Sequence, residues 1–140
     1  MNTSRLSWEE YALRIAEVAA LRSEDVYTRV GACALNHSNR VIAVAYNGLA
    51  PSKIVDLDFW KDRDRRRKFM IHAEINALSL VKNGECKLLA CTLMPCPSCA
   101  TAIAANGVKK VVYRDEYERG QKDALKIFDF YGIECQRIIT

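Results

Sequence analysis

Two short stretches constrain this chain more than anything else in it: His72-Ala73-Glu74, and Pro95-Cys96-Pro97-Ser98-Cys99 further on. One imidazole and two thiolates are the kind and number of ligands that leave a catalytic zinc with an open position, so a fold that uses them together must bring both stretches onto one ion. Ile71 to Val81 is apolar at Ile71, Ile75, Leu78 and Val81 and is followed by the stop signal Asn83-Gly84. That spacing predicts a helix with His72 and Glu74 in its first turn. Pro97 suits the first position of another helix, which continues from Ser98 to Ala105 and ends at Asn106-Gly107. Both sets of ligands therefore fall at helix starts, where partial positive charge and free N–H groups favour thiolate over thiol and lower the proton cost of binding metal. Pro95 and Pro97 stiffen the turn, and Cys-x-x-Cys lets two sulfurs reach one ion at about 2.3 Å.

The flanking sequence supplies a sheet and further helices. Ser7 and Glu10 form a capping-box signature ahead of Trp8, Tyr11, Ala12, Ile15, Val18 and Ala19, which predicts a first helix from Trp8 to Arg22. Val30 to Leu35 and Val41 to Tyr46 flank the turn residues Asn36-His37-Ser38-Asn39 and read as an antiparallel hairpin. Strands are expected at Leu88 to Leu93, Val108 to Tyr113 and Ile133 to Ile139, with a helix from Tyr117 to Tyr131 closed by Gly132. The segment from Asn47 to Met70 reads as the least regular part of the chain. The expected order is α-β-β-α-β-α-β-α-β. Helical crossovers make strands three, four and five parallel, and the opening hairpin makes the five-stranded sheet mixed, with helices over its faces. The fold class is α/β, and one domain is expected over residues 1–140.

At 140 residues and 50% hydrophobic content the chain can bury a core without disulfide support. Its longest apolar runs, such as Val41 to Tyr46, fall far short of a membrane span, and the polar opening Met1 to Ser7 lacks a secretory apolar segment, so a cytoplasmic location is expected. In that setting the six cysteines stay reduced or bind metal. A net charge of +4 suits a phosphorylated small molecule about as well as nucleic acid.

A tetrahedral zinc on His72, Cys96 and Cys99 keeps one site for water, whose pKa the metal lowers from about 15.7 to about 7. Glu74 is not needed as a ligand, because two thiolates already balance the zinc charge, and it is free to shuttle protons. The competing reading is a zinc that only staples two helices. Structural zinc closes all four positions with protein ligands, and Cys86 and Cys91 are the nearest further candidates in sequence.

The joint pattern of His-x-Glu and Pro-Cys-x-x-Cys is the signature of zinc deaminases. Over most of its length the chain resembles the cytidine/deoxycytidylate deaminase superfamily, and within it the deoxycytidylate branch more than the free-nucleoside one. The resemblance is carried by Arg22-Ser23, Val30-Gly31-Ala32, Ala45-Tyr46-Asn47-Gly48, His72-Ala73-Glu74-Ile75-Asn76-Ala77, the Pro95 to Cys99 stretch and Gly107 to Tyr113. It implies a three-layer α/β/α cytidine-deaminase-like fold and zinc-dependent hydrolysis of dCMP to dUMP and ammonia, which feeds thymidylate synthesis. It implies one catalytic Zn2+ on His72, Cys96 and Cys99, Glu74 as the catalytic acid/base, Asn47 at the sugar and the backbone of Ala73 at the pyrimidine edge. It also implies a homo-oligomer. Asn47-Gly48 is equally what a tight turn wants, and both roles stay open. Relatives often carry further His or Cys ligands after Tyr-Asn-Gly, but here the chain reads Leu49-Ala50-Pro51-Ser52-Lys53, so a second zinc is not expected. Regulation by deoxynucleoside triphosphates cannot be carried over with that region.

Lys61 to Lys68 holds six basic residues against two acids. It could contact a nucleotide phosphate, follow a nucleic-acid backbone, or form a solvated helix face, the commonest fate of a charge run. The alternatives to a dCMP deaminase are therefore a deaminase of single-stranded nucleic acid or of another nucleotide or nucleobase, and a non-catalytic zinc domain. Cys33, Cys86, Cys91 and Cys135 lack ligand spacing and read as packing residues, and His37 as an exposed turn residue. Tyr113 and Tyr117 flank the loop after the fourth strand, where packing is the usual role.

Overall fold

The computed structural model describes residues 4–117 and 120–140. Its elements are α1 (Trp8–Ala20), β1 (Gly31–Asn36), β2 (Val41–Tyr46), α2 (Leu57–Lys61), α3 (Arg63–Phe69), α4 (Ala73–Leu78), β3 (Cys86–Leu93), α5 (Pro97–Asn106), β4 (Lys110–Asp115), α6 (Gln121–Phe130) and β5 (Glu134–Arg137). The strands form one sheet in the order β2-β1-β3-β4-β5. β1 is antiparallel to β2 and to β3, while β3, β4 and β5 run parallel. This is the expected five-stranded mixed sheet, covered by helices on both faces.

Side-chain alternation divides the central strands between two cores. Cys33, Leu35, Leu88, Ala90 and Val112 meet the Ala12, Leu13 and Ala16 stripe of α1. Ala32, Ala34, Leu89, Cys91 and Val111 face the opposite way, onto Ala73 and Ala77 of α4, Ala100 and Ile103 of α5, and Ala124 and Phe128 of α6. Burial on both sides explains why β1 and β3 read as continuous apolar runs.

α1 lies so close to the sheet that the position after Val30 has to be glycine. A Cβ on Gly31 would stand 1.8 Å from the Ala16 carbonyl oxygen and 2.8 Å from the Ala20 nitrogen, both backbone atoms of α1. Gly31→Ala must therefore push the helix off the sheet. We expect a loss of about 3 kcal/mol, at the upper end of ordinary overpacking, read as a lowered urea midpoint.

The segment read as irregular differs from expectation: it contains two short helices. Asp56 and Asp62 cap them, each side chain accepting from the N–H three residues on, at Phe59 (3.0 Å) and Arg65 (3.2 Å). The Lys61 to Lys68 run thus forms most of α3. Several expected ends also shift. The first helix stops at Ala20, the helix after His72 stops at Leu78, and β5 is shorter than the Ile133 to Ile139 run. The helix expected from Tyr117 is observed from Gln121, and its positions Glu118 and Arg119 lie outside the described residues, as do Met1 to Thr3 of the polar opening. Among the described residues no helix is long and apolar enough to cross a membrane.

The pairing directions gather one edge of the sheet. β2 ends at Tyr46 opposite the start of β1 at Gly31, and β3 ends at Leu93 beside Asp115 of β4. Val30, Asn47, Met94 and Tyr117 leave the strands on this same side, which is where α4 and α5 begin.

Candidate active site

His72 is placed by the residue before it. Ile71 makes a two-hydrogen-bond bridge with Gly48, its N–H donating to the Gly48 carbonyl (2.8 Å) and its carbonyl accepting from the Gly48 N–H (3.1 Å). His72 then takes the N-cap position of α4 in an extended conformation, so it precedes the first turn rather than lying inside it. Cys96 is the N-cap of α5, Pro97 opens that helix, and Cys99 follows one turn later. Neither cap side chain is spent on capping, so both are free to turn to another partner. They turn to each other. His72 Nδ1 stands 3.6 Å from Cys96 Sγ and 3.2 Å from Cys99 Sγ, and all three ligand atoms lie within 4.8 Å of one another. Tetrahedral zinc with ordinary Zn–N and Zn–S lengths puts nitrogen and sulfur ligands roughly 3.6 Å apart, so the set fits zinc as it stands. Among the described residues this is the one group of its kind.

Without a cation between them, the three groups share their protons unevenly, and only Cys96 is held as a thiolate. The Cys96 thiol is held down to about 4 by its hydrogen bond with Cys99 and then, against burial, by its bond with His72. That same bond and burial push the Cys99 thiol up, and the bond with Cys96 raises His72 against the effect of its own burial. Glu74, the second residue of α4, is 3% exposed. Burial holds its carboxyl above the ordinary carboxylate value, opposed by its own N–H and by the nearby His72 charge. A carboxyl shifted that way is suited to taking and returning a proton.

Glu74, His72, Ala73 and Cys96 line a cavity of about 230 Å³ at the gathered sheet edge. Val30, Leu93 and Met94 give it apolar wall, and Asn47, Asp25, Thr28 and Tyr117 give it polar wall. Arg63, Arg66 and Arg67 of α3 complete the lining. Residues 6–115 match the family model described as the cytidine and deoxycytidylate deaminase zinc-binding region. The chain belongs to the cytidine and deoxycytidylate deaminase family. It is 31% identical to the deoxycytidylate deaminase of Mus musculus over 94% of this chain and 80% of that protein. It is 36% identical to a probable deoxycytidylate deaminase of Caenorhabditis elegans over 91% of this chain and 68% of that protein. The crystal structure of dCMP deaminase from the cyanophage S-TIM5 in complex with dCMP and dUMP superimposes with a TM-score of 0.79 at 28% identity, covering 96% of this chain and 99% of that one.

In this deaminase Asn47 has a scaffolding task that its sequence context only half disclosed. Its Oδ1 accepts from the Val30 N–H (2.9 Å), and its Nδ2 donates to the Thr28 carbonyl (2.8 Å). Ser23 Oγ donates to the Asn47 carbonyl (2.9 Å) and accepts from the Asp25 N–H (3.2 Å), while Asp25 Oδ1 accepts from the N–H groups of Tyr27 and Thr28. The loop from Ser23 to Thr28 is thereby fixed as one wall of the cavity. Asp25 and Thr28 were not foreseen as site residues. The signal was present, since an aspartate that accepts from the N–H two and three residues on is an Asx turn, but Ser23-Glu24-Asp25 reads in sequence as a polar break.

The two tyrosines separate. Tyr113 is buried in the core, whereas Tyr117 lines the cavity of the deaminase. His37 is exposed, its Nε2 2.9 Å from the Gly84 carbonyl oxygen, and is not part of the His72, Cys96 and Cys99 group. The four remaining cysteines pack as expected. Burial pushes the thiols of Cys33 and Cys135 up to about 11 and Cys86 up to about 12, and raises Cys91 well above its ordinary value. Thiolate is the reactive form, so these four should be inert in the folded protein. With zinc bound, a disulfide reagent at neutral pH should find almost no free thiol, and adding a chelator should release Cys96, the thiol held down, for fast reaction. The same count before and after chelation would contradict the assignment of Cys96 and Cys99.

Proposed function

We propose that this deaminase converts dCMP and water to dUMP and ammonia. The observation that carries the proposal is the placement of a buried carboxyl, Glu74, in the wall of the same small cavity as a three-ligand zinc set. A structural site needs no such acid. When bound, zinc would supply a Lewis acid that activates water for attack. The chain's own residues do the rest. Glu74 takes a proton from the attacking water and gives it to the ring nitrogen as the new C–O bond forms at the amidine carbon. It then carries the second water proton to the exocyclic amine, the C–N bond breaks, and ammonia leaves.

Ala73 is the first residue of α4, so its N–H has no partner within the helix and can be offered to the pyrimidine edge. Leu93 and Met94 give the base an apolar wall. Asn47 still has one N–H and one lone pair beyond those spent on Thr28 and Val30, enough for a hydroxyl of the sugar. The product feeds thymidylate synthesis in the cytoplasm. Assembly into a homo-oligomer belongs to the same reading and is supported by large apolar side chains left exposed, among them Phe130 at 81% and Leu21 at 70%.

A substrate panel tests the proposal: dCMP, CMP, deoxycytidine, cytosine, guanine and a single-stranded oligonucleotide, each assayed for ammonia. Ammonia should come fastest from dCMP, with dUMP as the co-product. Ammonia from the oligonucleotide and none from dCMP would overturn it.

A further inference from the structure

We infer that Gly120, at the start of α6, is a positioning residue for the zinc centre. By carrying no side chain it lets α6 seat against Pro97, and so fixes the turn from which Cys96 and Cys99 are offered to the metal. This inference rests on His72, Cys96 and Cys99 as the zinc ligands and not on dCMP as the substrate.

The contact leaves no room for a methyl group. A Cβ on Gly120 would stand 2.9 Å from both Cγ and Cδ of Pro97. Carbon atoms pack at about 3.5–4.0 Å, so one of the two partners would have to move. A flexible side chain could swing aside at little cost. The pyrrolidine ring cannot, because it is closed onto the backbone nitrogen of its own residue and moves only with the main chain. That residue lies between the two cysteine ligands. Pro97 is the first residue of α5, Cys96 is its N-cap, and Cys99 follows in the same helix. Displacing the ring therefore displaces the backbone that aims both sulfurs.

Gly120 is itself held from behind. Its carbonyl accepts from the Ala124 N–H (2.9 Å), which ties it into the first turn of α6. Ala124 and Phe128 of that helix are fully buried, in the same core cluster as Ala100 and Ile103 of α5. α6 cannot retreat without opening this core. Cys96 and Pro97 are only half-buried, so the turn that carries them is the part that yields. The same helix start also braces the cavity, because Gln121 Oε1 accepts from the N–H of Tyr117 (2.7 Å), a residue of the cavity wall.

A second glycine separates this contact from the demands of the backbone alone. Gly120 has a φ of +78°, and Gly132, just beyond the other end of α6, has a φ of +70°. Both conformations favour glycine. Among the described residues, nothing lies within 4 Å of the place a Cβ on Gly132 would take. Alanine at Gly132 therefore meets the backbone cost by itself. Alanine at Gly120 meets a similar cost and the Pro97 ring as well.

The test measures zinc affinity, by competition with a chelator, in the folded wild type, Gly120→Ala, Gly132→Ala, Pro97→Ala and the double variant Gly120→Ala/Pro97→Ala. Urea midpoints are taken on the same proteins. Gly120→Ala should bind zinc roughly 10–100-fold more weakly than the wild type, the range that follows the loss of a group orienting a ligand. Gly132→Ala should show a lowered urea midpoint, the mark of a strained backbone, with zinc affinity within about twofold of the wild type. With Pro97 already replaced, adding Gly120→Ala should weaken zinc by less than about threefold further, because the ring it would strike is gone. An unchanged zinc affinity in Gly120→Ala overturns the proposal. So does an equal loss in Gly132→Ala, or an undiminished loss in the Pro97→Ala background. Should Gly120→Ala fail to fold, the double variant decides. Recovery of a folded, zinc-binding protein is the expected result, and failure of both overturns the contact with Pro97. A wild type that binds no zinc instead sinks the ligand assignment on which the inference rests.

Discussion

Replacing Glu74 by glutamine should leave the deaminase folded and zinc-loaded while lowering dCMP turnover by about 10²–10⁴. The substitution keeps the shape of a side chain that is 3% exposed, so the packing of α4 against the sheet is retained. The ligand set, His72, Cys96 and Cys99, is untouched. What disappears is the group that can accept a proton from water and deliver it to two different nitrogens. Glutamine can hydrogen-bond but cannot carry a proton between those sites. Metal analysis and steady-state kinetics on the same preparation check both halves of the expectation. Turnover retained with zinc bound would remove Glu74 from the proton path.

The second large effect is the loss of a ligand. Cys99→Ala should reduce zinc affinity by more than the roughly 10–100-fold that follows the loss of an outer-shell partner, and dUMP formation should fall with zinc content. Cys99 is 2% exposed, yet it belongs to neither of the two core clusters. The sheet and α1 should therefore persist, and the far-ultraviolet spectrum should change little. In contrast with Glu74→Gln, metal and activity disappear together. A Cys99→Ala protein that keeps stoichiometric zinc would show that the metal is held elsewhere.

The parts of the fold readable from sequence are those whose local signals agree with their burial. Ser7 caps α1 as the Ser7–Glu10 spacing implies, its Oγ accepting from the Glu10 N–H at 3.1 Å. Asn36 organises the hairpin turn, its Oδ1 accepting from the N–H groups of Ser38 and Arg40. Pro97 opens α5, and His72 and Cys96 fall at helix starts because the turn chemistry around them says so. α3 escaped for the opposite reason. A helix is recognised by an apolar stripe, and the stripe that α3 turns toward the protein is made of arginine because it faces a cavity instead of a core. α2 buries only Phe59, too little to make a period. Asn47 shows a limit of another kind. Its neighbours suit a turn and a ligand contact equally, and only the distances to Val30 and Thr28 reveal how much of its amide is spent on holding the loop.

The most direct test is to incubate the purified chain, its zinc content known, with dCMP and follow dUMP and ammonia together. One zinc per chain with dUMP and ammonia formed one for one is the predicted result. Stoichiometric zinc with no dUMP formed would contradict it.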